Sequence, residues 1–256
     1  MNNKWKSFGI EDQVAIVSGA SEGIGRTLAV ALAEAGAHVA LASRTQTTLD
    51  EVASEIEALG RQALVVPTDL TDVAQIRALV AKVHARFGKI DILINNAAWT
   101  ATVEALQVTE EQWDRTQDTS LKAQFFLAQA VAKIMIEQGQ GKIVNVGSNL
   151  AEVAFRGRSV YSAAKAGVHH LTRALANEWA PKGIHVNCVA PCITETPTRR
   201  ELFERPGYKD WALEQLPIGR WAQPADLIGA TLFLCSSLSD MVVGHILMVD
   251  GGWTIH

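Results

Sequence analysis

The chain has 256 residues, 48% of them hydrophobic and 20% charged, with a formal net charge of −4. This length and composition allow one α/β domain with a sizeable core and exclude a disordered, repetitive or low-complexity chain. The negative balance offers no basic face to nucleic acid, and Cys188, Cys192 and Cys235 have neither metal-ligand spacing nor the even count of a disulfide framework, so no metal is expected.

The stretch Met1 to Phe8 is polar and lacks the apolar core of a secretory signal. No apolar run approaches the length of a membrane span, so a protein of the reducing cytoplasm with no membrane partner is expected.

Val14 to Ser18 is a short apolar run that ends in Gly19-Ala20-Ser21-Glu22-Gly23-Ile24-Gly25, and Arg26 to Ala35 follows as a helix stopped by Gly36. Glycines let the backbone turn tightly and approach a pyrophosphate, while a helix N-terminus offers free N–H groups and the positive end of its dipole. Dinucleotide binding is the leading expectation for this turn. A second strand, His38 to Ala42, completes the βαβ unit within about 30 residues. Where an acidic residue would bind the ribose hydroxyls of NAD, the chain has Ser43 and Arg44. Arg44 suits a 2′-phosphate or is a solvated loop charge, so NADP(H) is favoured over NAD(H).

Leu49 to Leu59 reads as helix, Gln62 to Val66 as strand and Asp72 to Phe87 as helix. Asp69 is placed either to meet the adenine side of a cofactor or, like Asp72, to cap a helix. Ile90 to Ile94 is a fourth strand running into Asn95-Asn96-Ala97-Ala98, whose amides brace the strand end or meet a ribose.

Glu110 to Gln138 reads as one long helix with Trp113, Leu121, Phe125 and Leu127 among its apolar residues, more than one core face needs. A second subunit would cover the surplus, through helices 110–138 and 159–180, in a dimer or tetramer.

Lys142 to Gly147 is a buried strand closed by Ser148. Thirteen residues later comes Tyr161-Ser162-Ala163-Ala164-Lys165, whose spacing of four sets a phenol and an ammonium on one helix face, one turn apart. A cation beside a phenol favours phenolate, which lets such a group trade a proton closer to neutral pH than its ordinary value of about 10. The helix runs from Ser159 to Ala180, and its His169 and His170 read as surface or interface residues. A sixth strand, Ile184 to Ala190, leads into residues 192–217, a loosely patterned segment that reads as a substrate lid. Pro224 to Ser236 returns to helix and His245 to Val249 to strand. The alternation predicts a single-domain doubly wound (Rossmann) α/β fold over residues 1–256, with a seven-stranded, mostly parallel sheet and helices on both faces.

From about Val14 to Gly252 the chain resembles the short-chain dehydrogenase/reductase family. Ser18 to Gly25 resembles its TGxxxGxG turn, Asn95 to Ala98 its NNAG segment, and Tyr161 to Lys165 its YxxxK pair, with Ser148 at the expected spacing. Asn187 to Pro191, with Thr196 beyond, resembles the segment that meets the nicotinamide carboxamide. The resemblance implies a small-molecule substrate and hydride transfer between NAD(P) and a secondary alcohol or ketone of a sugar, polyol or 3-oxoacyl compound. It makes Tyr161 the general acid/base, Ser148 the group orienting the reacting oxygen, and Lys165 the ligand of the nicotinamide ribose. It also sets Leu70, Asn96, Ala97, Pro191, Ile193 and Thr196 against the cofactor.

Five positions depart from the family pattern. Ser18 replaces threonine and keeps its hydroxyl. Ala98 and Cys192 replace glycines, and Cys192 is a packing residue or an oxidisable wall. Ser120 stands where the family has an asparagine in its proton relay, which the serine rebuilds or weakens, and Glu22 opposes a phosphate at the glycine turn. An alternative is a nucleotide-binding or regulatory homologue that has lost turnover, and another is an epimerase or dehydratase of the extended branch, whose turn has a different glycine spacing.

Overall fold

In the computed structural model, which describes residues 8–199 and 203–255, strands and helices alternate as the aliphatic runs predict. Residues 1–7 of the polar N-terminal stretch and residues 200–202 of the predicted lid lie outside the described residues. The strands are β1 (Val14–Ser18), β2 (His38–Ser43), β3 (Ala63–Pro67), β4 (Ile92–Asn95), β5 (Gly141–Val146), β6 (Ile184–Pro191) and β7 (Ile246–Val249). They form one sheet in the order β3-β2-β1-β4-β5-β6-β7, and every neighbouring pair is parallel.

A parallel sheet needs cover on both faces, and its alternate residues divide between two cores. Ala15 and Val17 of β1 face α1 (Gly23–Glu34) and α2 (Gln46–Ala58) through Leu28, Leu32, Leu49 and Val52. Val14 and Ile16 face α3 (Val73–Phe87) through Ile76 and Leu79. The chain reverses its direction of winding between β1 and β4, so the carboxyl ends of those strands open a crevice, the usual ligand position in such sheets.

Most bounds shift by one to four residues from the sequence reading, as where Pro224–Leu227 is a 3-10 turn ahead of the helix, and two differences have identifiable reasons. The fourth strand begins at Ile92 rather than Ile90, because the Gln138 side-chain amide takes both the N–H and the C=O of Ile90, each at 2.9 Å. The single helix predicted over Glu110 to Gln138 is divided into α4 (Glu110–Gln117), a π-helical turn (Asp118–Lys122) and α5 (Ala123–Gln138). A capping box starts α4: the Thr109 hydroxyl accepts from the Gln112 N–H at 3.2 Å, and the Gln112 side chain accepts from the Thr109 N–H at 3.1 Å. At the π turn Ser120 faces inward, with 0% exposure.

Helix α6 (Ser159–Trp179) packs along β6, and α7 (Tyr208–Glu214) and α8 (Ile228–Cys235) follow. The three cysteines are free, buried thiols. Among the described residues no helix is long and apolar enough to cross a membrane.

Candidate active site

A cleft of about 1250 Å³ runs across the carboxyl ends of the strands. At its centre the chain leaves β1 at Gly19 (φ +65°) and enters α1 at Gly23 (φ +55°), both in the left-handed region that only glycine adopts without strain. Asn96, from the end of β4, holds this turn: its Nδ2 donates to the carbonyls of Ser18 at 3.0 Å and Gly19 at 3.1 Å. In return the Ser18 hydroxyl accepts from the backbone N–H of Asn96 at 3.0 Å and of Ala97 at 3.2 Å. The N-cap of α1 is Glu22, whose side chain makes no capping bond, so the first turn of the helix is left to whatever fills the cleft. Gly19, Ser21, Glu22, Gly23 and Ile24 line the cleft, but Gly25 does not. Gly25 serves packing: a Cβ there would lie 2.0 Å from the Gly19 carbonyl oxygen.

At one end of the cleft stand Ser43, Arg44, Asp69 and Leu70. The Ser43 hydroxyl is buried and has no partner among the described residues. Arg44 is exposed, whereas Arg26 nearby is engaged by Glu55 and by Glu51 at 3.8 Å. Asp72 is the cap of α3, accepting from the Ala74 N–H at 2.8 Å. Asp69 instead accepts from the hydroxyl of Thr71 at 2.7 Å and from its N–H at 2.9 Å. These bonds, with the positive field of Arg44, hold the Asp69 carboxyl below its ordinary pKa.

The other end is built on α6. A buried polar chain fixes that helix to the sheet: Asn95 Nδ2 donates to Asn145 Oδ1 at 3.1 Å, and Asn145 Nδ2 to Thr172 Oγ1 at 3.0 Å. Lys165, 1% exposed, donates from Nζ to the Val146 carbonyl at 2.6 Å and lies 5.7 Å from the centroid of the Tyr161 ring. Tyr161 and Ser148, 8% and 7% exposed, line the same cleft with Lys165, Pro191, Ile193 and Thr196. The Ser148 hydroxyl accepts from the Leu150 N–H at 3.1 Å and donates to Asn149 Oδ1 only at 3.5 Å, the limit of a hydrogen bond, so a closer acceptor in the cleft can take its hydrogen.

The structure locates Ser120 and corrects the reading of His169. Ser120 does not line the cleft; its hydroxyl donates to the Trp99 carbonyl at 2.9 Å and accepts from the Trp99 N–H at 3.1 Å. His169 is not a surface residue, although His170 is exposed. It continues the stripe of Tyr161 and Lys165 one further turn along α6, which puts it under Ser148. Its Nδ1 is 2.9 Å from Glu152, and its Nε2 is 3.5 Å from the Ser148 N–H, at the limit of a hydrogen bond. Burial lowers the pKa of His169 against the opposing pull of Glu152, so the neutral ring donates from Nδ1 and accepts at Nε2.

The segment predicted as a lid forms a small core of its own. Cys192, Ile193, Ala212 and Leu216 pack with Ala222 and Trp253, and Trp211 contacts both Phe155 and Trp253, with ring centroids 4.9 and 5.9 Å apart. Cys192 is thus part of a packed wall, its thiol pushed up to about 11 by burial. Sequence reasoning missed Trp99, Arg115, Arg158, Arg199 and Trp253 as lining residues. They come from separate segments, Arg115 from α4 and the others from loops, a helix cap and short turns, and only the π turn at Ser120, with its tie to Trp99, could have been sought from the departure at that position.

Comparison with known proteins agrees with this geometry. The family described as enoyl-(acyl carrier protein) reductase matches residues 19–254. The chain is 39% identical over 248 residues to 2-dehydro-3-deoxy-D-gluconate 5-dehydrogenase of Escherichia coli, covering 96% of this chain and 97% of that protein. It is 40% identical over 248 residues to gluconate 5-dehydrogenase of Gluconobacter oxydans, covering 97% of each. A crystal structure of a gluconate 5-dehydrogenase from Burkholderia cenocepacia, in complex with NADP and tartrate, superposes with a TM-score of 0.93 at 37% identity over 96% of each chain.

Proposed function

The chain belongs to the short-chain dehydrogenase/reductase family and is an NAD(P)-using oxidoreductase, and from that premise we propose how its cleft works. Tyr161 is the general acid/base, Ser148 orients the reacting oxygen, and Lys165 binds the cofactor ribose. The observation that carries this reading is Lys165, an ammonium 1% exposed whose one protein acceptor, among the described residues, is the Val146 carbonyl. A buried ammonium with N–H groups to spare requires further acceptors, and the cleft is where they can come from.

The residues present fit a nicotinamide dinucleotide. The uncapped first turn of α1 and the glycine turn suit a pyrophosphate, and the orphaned Ser43 hydroxyl suits an adenosine ribose. Asp69 and Leu70 stand with Ser43 at the adenosine end, Asn96 and Ala97 line the span between the two ends, and Pro191, Ile193 and Thr196 lie beside the nicotinamide. When bound, the cofactor exchanges a hydride with the substrate carbon. Ser148 then donates its hydroxyl hydrogen to the substrate oxygen, and Tyr161 gives or takes the proton at its phenol oxygen. Lys165 stabilises the phenolate that remains after the proton leaves. Exposed Arg44, which has no carboxylate partner among the described residues, favours NADP(H), and the Burkholderia protein holds NADP. Glu22 opposes that preference.

The substrate is a small secondary alcohol or ketone of the sugar, polyol or 3-oxoacyl kind, enclosed by a lid at about 192–217 on a single domain. Trp113 at 48% exposure and Ile136 at 37% support a homodimer or homotetramer through helices 110–138 and 159–180, and the three reduced thiols suit the cytoplasm. The alternative, a homologue that has lost turnover, has the Ser120 departure as its support, and the intact set Ser148, Tyr161 and Lys165 argues against it.

Tyr161→Phe tests the assignment. Turnover on a panel of sugars, polyols and ketones should fall about 10²-fold or more, with NADPH affinity within about twofold of wild type. A retained rate would place the acid elsewhere.

A further inference from the structure

One cation at the substrate end has no work in the scheme above. Arg158, the residue before α6 and one turn before Tyr161, is half-buried and lines the cleft. Its Nη1 donates to the Thr100 hydroxyl at 2.8 Å, and among the described residues it has no carboxylate partner. Other arginines of the chain do: Arg156 holds Glu104 at 2.8 Å, and Arg220 holds Asp226 at 2.7 Å. Among the described residues, the groups whose fields act most on Arg158 are Arg199, Tyr161, Tyr208 and Arg205, and none of them is a carboxylate. Arg199 also lines the cleft. Four carboxylates, Glu110, Glu111, Asp114 and Asp118, line it on the α4 side but are not among the groups acting most strongly on Arg158.

A half-buried guanidinium without a counter-ion is destabilising unless something supplies the negative charge. Burial, followed by the field of Arg199, holds its pKa below the ordinary value, the sign of a cation in want of an anion. With Nη1 fixed by Thr100, the planar fork retains a pair of adjacent N–H donors, which match the two oxygens of a carboxylate.

We propose that Arg158, seconded by Arg199, binds the carboxylate of the substrate, so that the enzyme acts on a short polyhydroxy or oxo acid in preference to the corresponding neutral polyol. This rests on the hydride-transfer reading above and narrows its substrate class. Arg158 and Tyr161 start the same helix, so one small molecule presents its carboxylate to the first and its reacting oxygen to the second.

The test compares D-gluconate with D-glucitol, which share a six-carbon hydroxylated chain and differ in the carboxylate. Wild-type enzyme with NADP⁺ should favour gluconate in kcat/KM, and Arg158→Gln should lower the gluconate-to-glucitol ratio roughly 30-fold or more, mainly through KM. Arg158→Lys, which restores the charge without the fork, should recover part of it. Binding is read separately in Tyr161→Phe loaded with NADP⁺, by titration calorimetry with each compound, and again after adding Arg158→Gln. If gluconate binds more tightly than glucitol and loses that advantage with Arg158, while no compound of the sugar, polyol and ketone panel is turned over by wild type, the anion site stands and the assigned chemistry falls. If either compound is oxidised but gluconate has no advantage, or keeps its advantage in Arg158→Gln, the anion site is wrong and the chemistry stands. If gluconate binds no more tightly than glucitol in the calorimeter, the anion site is wrong whatever the turnover.

Discussion

Gly25→Ala is the substitution that most directly tests how the cofactor turn is built. In an ordinary helix it would help, since alanine exceeds glycine in helix propensity by about 1 kcal/mol. Here the new Cβ would stand 2.0 Å from the Gly19 carbonyl oxygen and 2.6 Å from Asn96 Nδ2, against backbone that cannot rotate away. Relief needs a displacement of about 1 Å, enough to break the bonds from Asn96 to Ser18 and Gly19, each contributing about 1 kcal/mol. Adding an overpacking cost of about 1–3 kcal/mol and subtracting the propensity gain leaves a net loss of about 2–4 kcal/mol. Gly229→Ala is the matched control: it too is helical, and nothing lies within 4 Å of its Cβ, so it should stabilise by about 0.5–1 kcal/mol. Urea unfolding followed by circular dichroism measures both. NADPH titration of Gly25→Ala should also show affinity weakened by about tenfold or more, because the displaced atoms belong to the turn beneath the pyrophosphate. A Gly25→Ala protein as stable as wild type, with native affinity, would refute the close-packed turn.

Ser120→Ala should destabilise by about 1–2 kcal/mol and raise KM, since it leaves the Trp99 N–H and C=O without partners and loosens that part of the cleft wall; equal urea midpoints would mean that water replaces the hydroxyl. Arg44→Ala should weaken NADPH about tenfold and NADH by less than twofold; equal effects in fluorescence titrations would remove the phosphate contact. His38, His169 and His185 are all held below their ordinary value of 6.5, chiefly by burial. The unfolded chain therefore takes up protons first, so these groups contribute stability that is fully present above pH 6.5 and is lost as the pH falls from there through their folded values. Unfolding midpoints at pH 8 and pH 5.5 measure this, and equal midpoints would contradict it.

The turn at Gly19 and Gly23 and the pair Tyr161 and Lys165 were legible because each is a local pattern, a dihedral requirement in one case and a spacing of four in the other. The strands were legible as aliphatic runs, and a parallel sheet followed from their alternation with helices. Boundaries failed where a distant side chain intervened, as Gln138 does at Ile90. The helix over Glu110 to Gln138 failed because a π turn changes residue count per turn without changing composition, and its tie to Trp99 spans 21 positions. His169 carried a readable signal, the stripe it shares with Tyr161 and Lys165, yet its polarity argued for the surface.

The sequence by itself determined the doubly wound architecture and pointed to Ser148, Tyr161 and Lys165, and its motifs carried the resemblance to the family. The architecture depends on backbone conformation and periodicity, which adjacent residues set between them. Only the tertiary structure decided that Ser120 braces Trp99, that His169 lies beneath Ser148, that Gly25 is a packing residue and that Arg158 stands half-buried with no acid beside it among the described residues. Whether a polar group is satisfied, and by what, depends on which loops the sheet brings together, and those partners lie too far along the chain for any local pattern to record them.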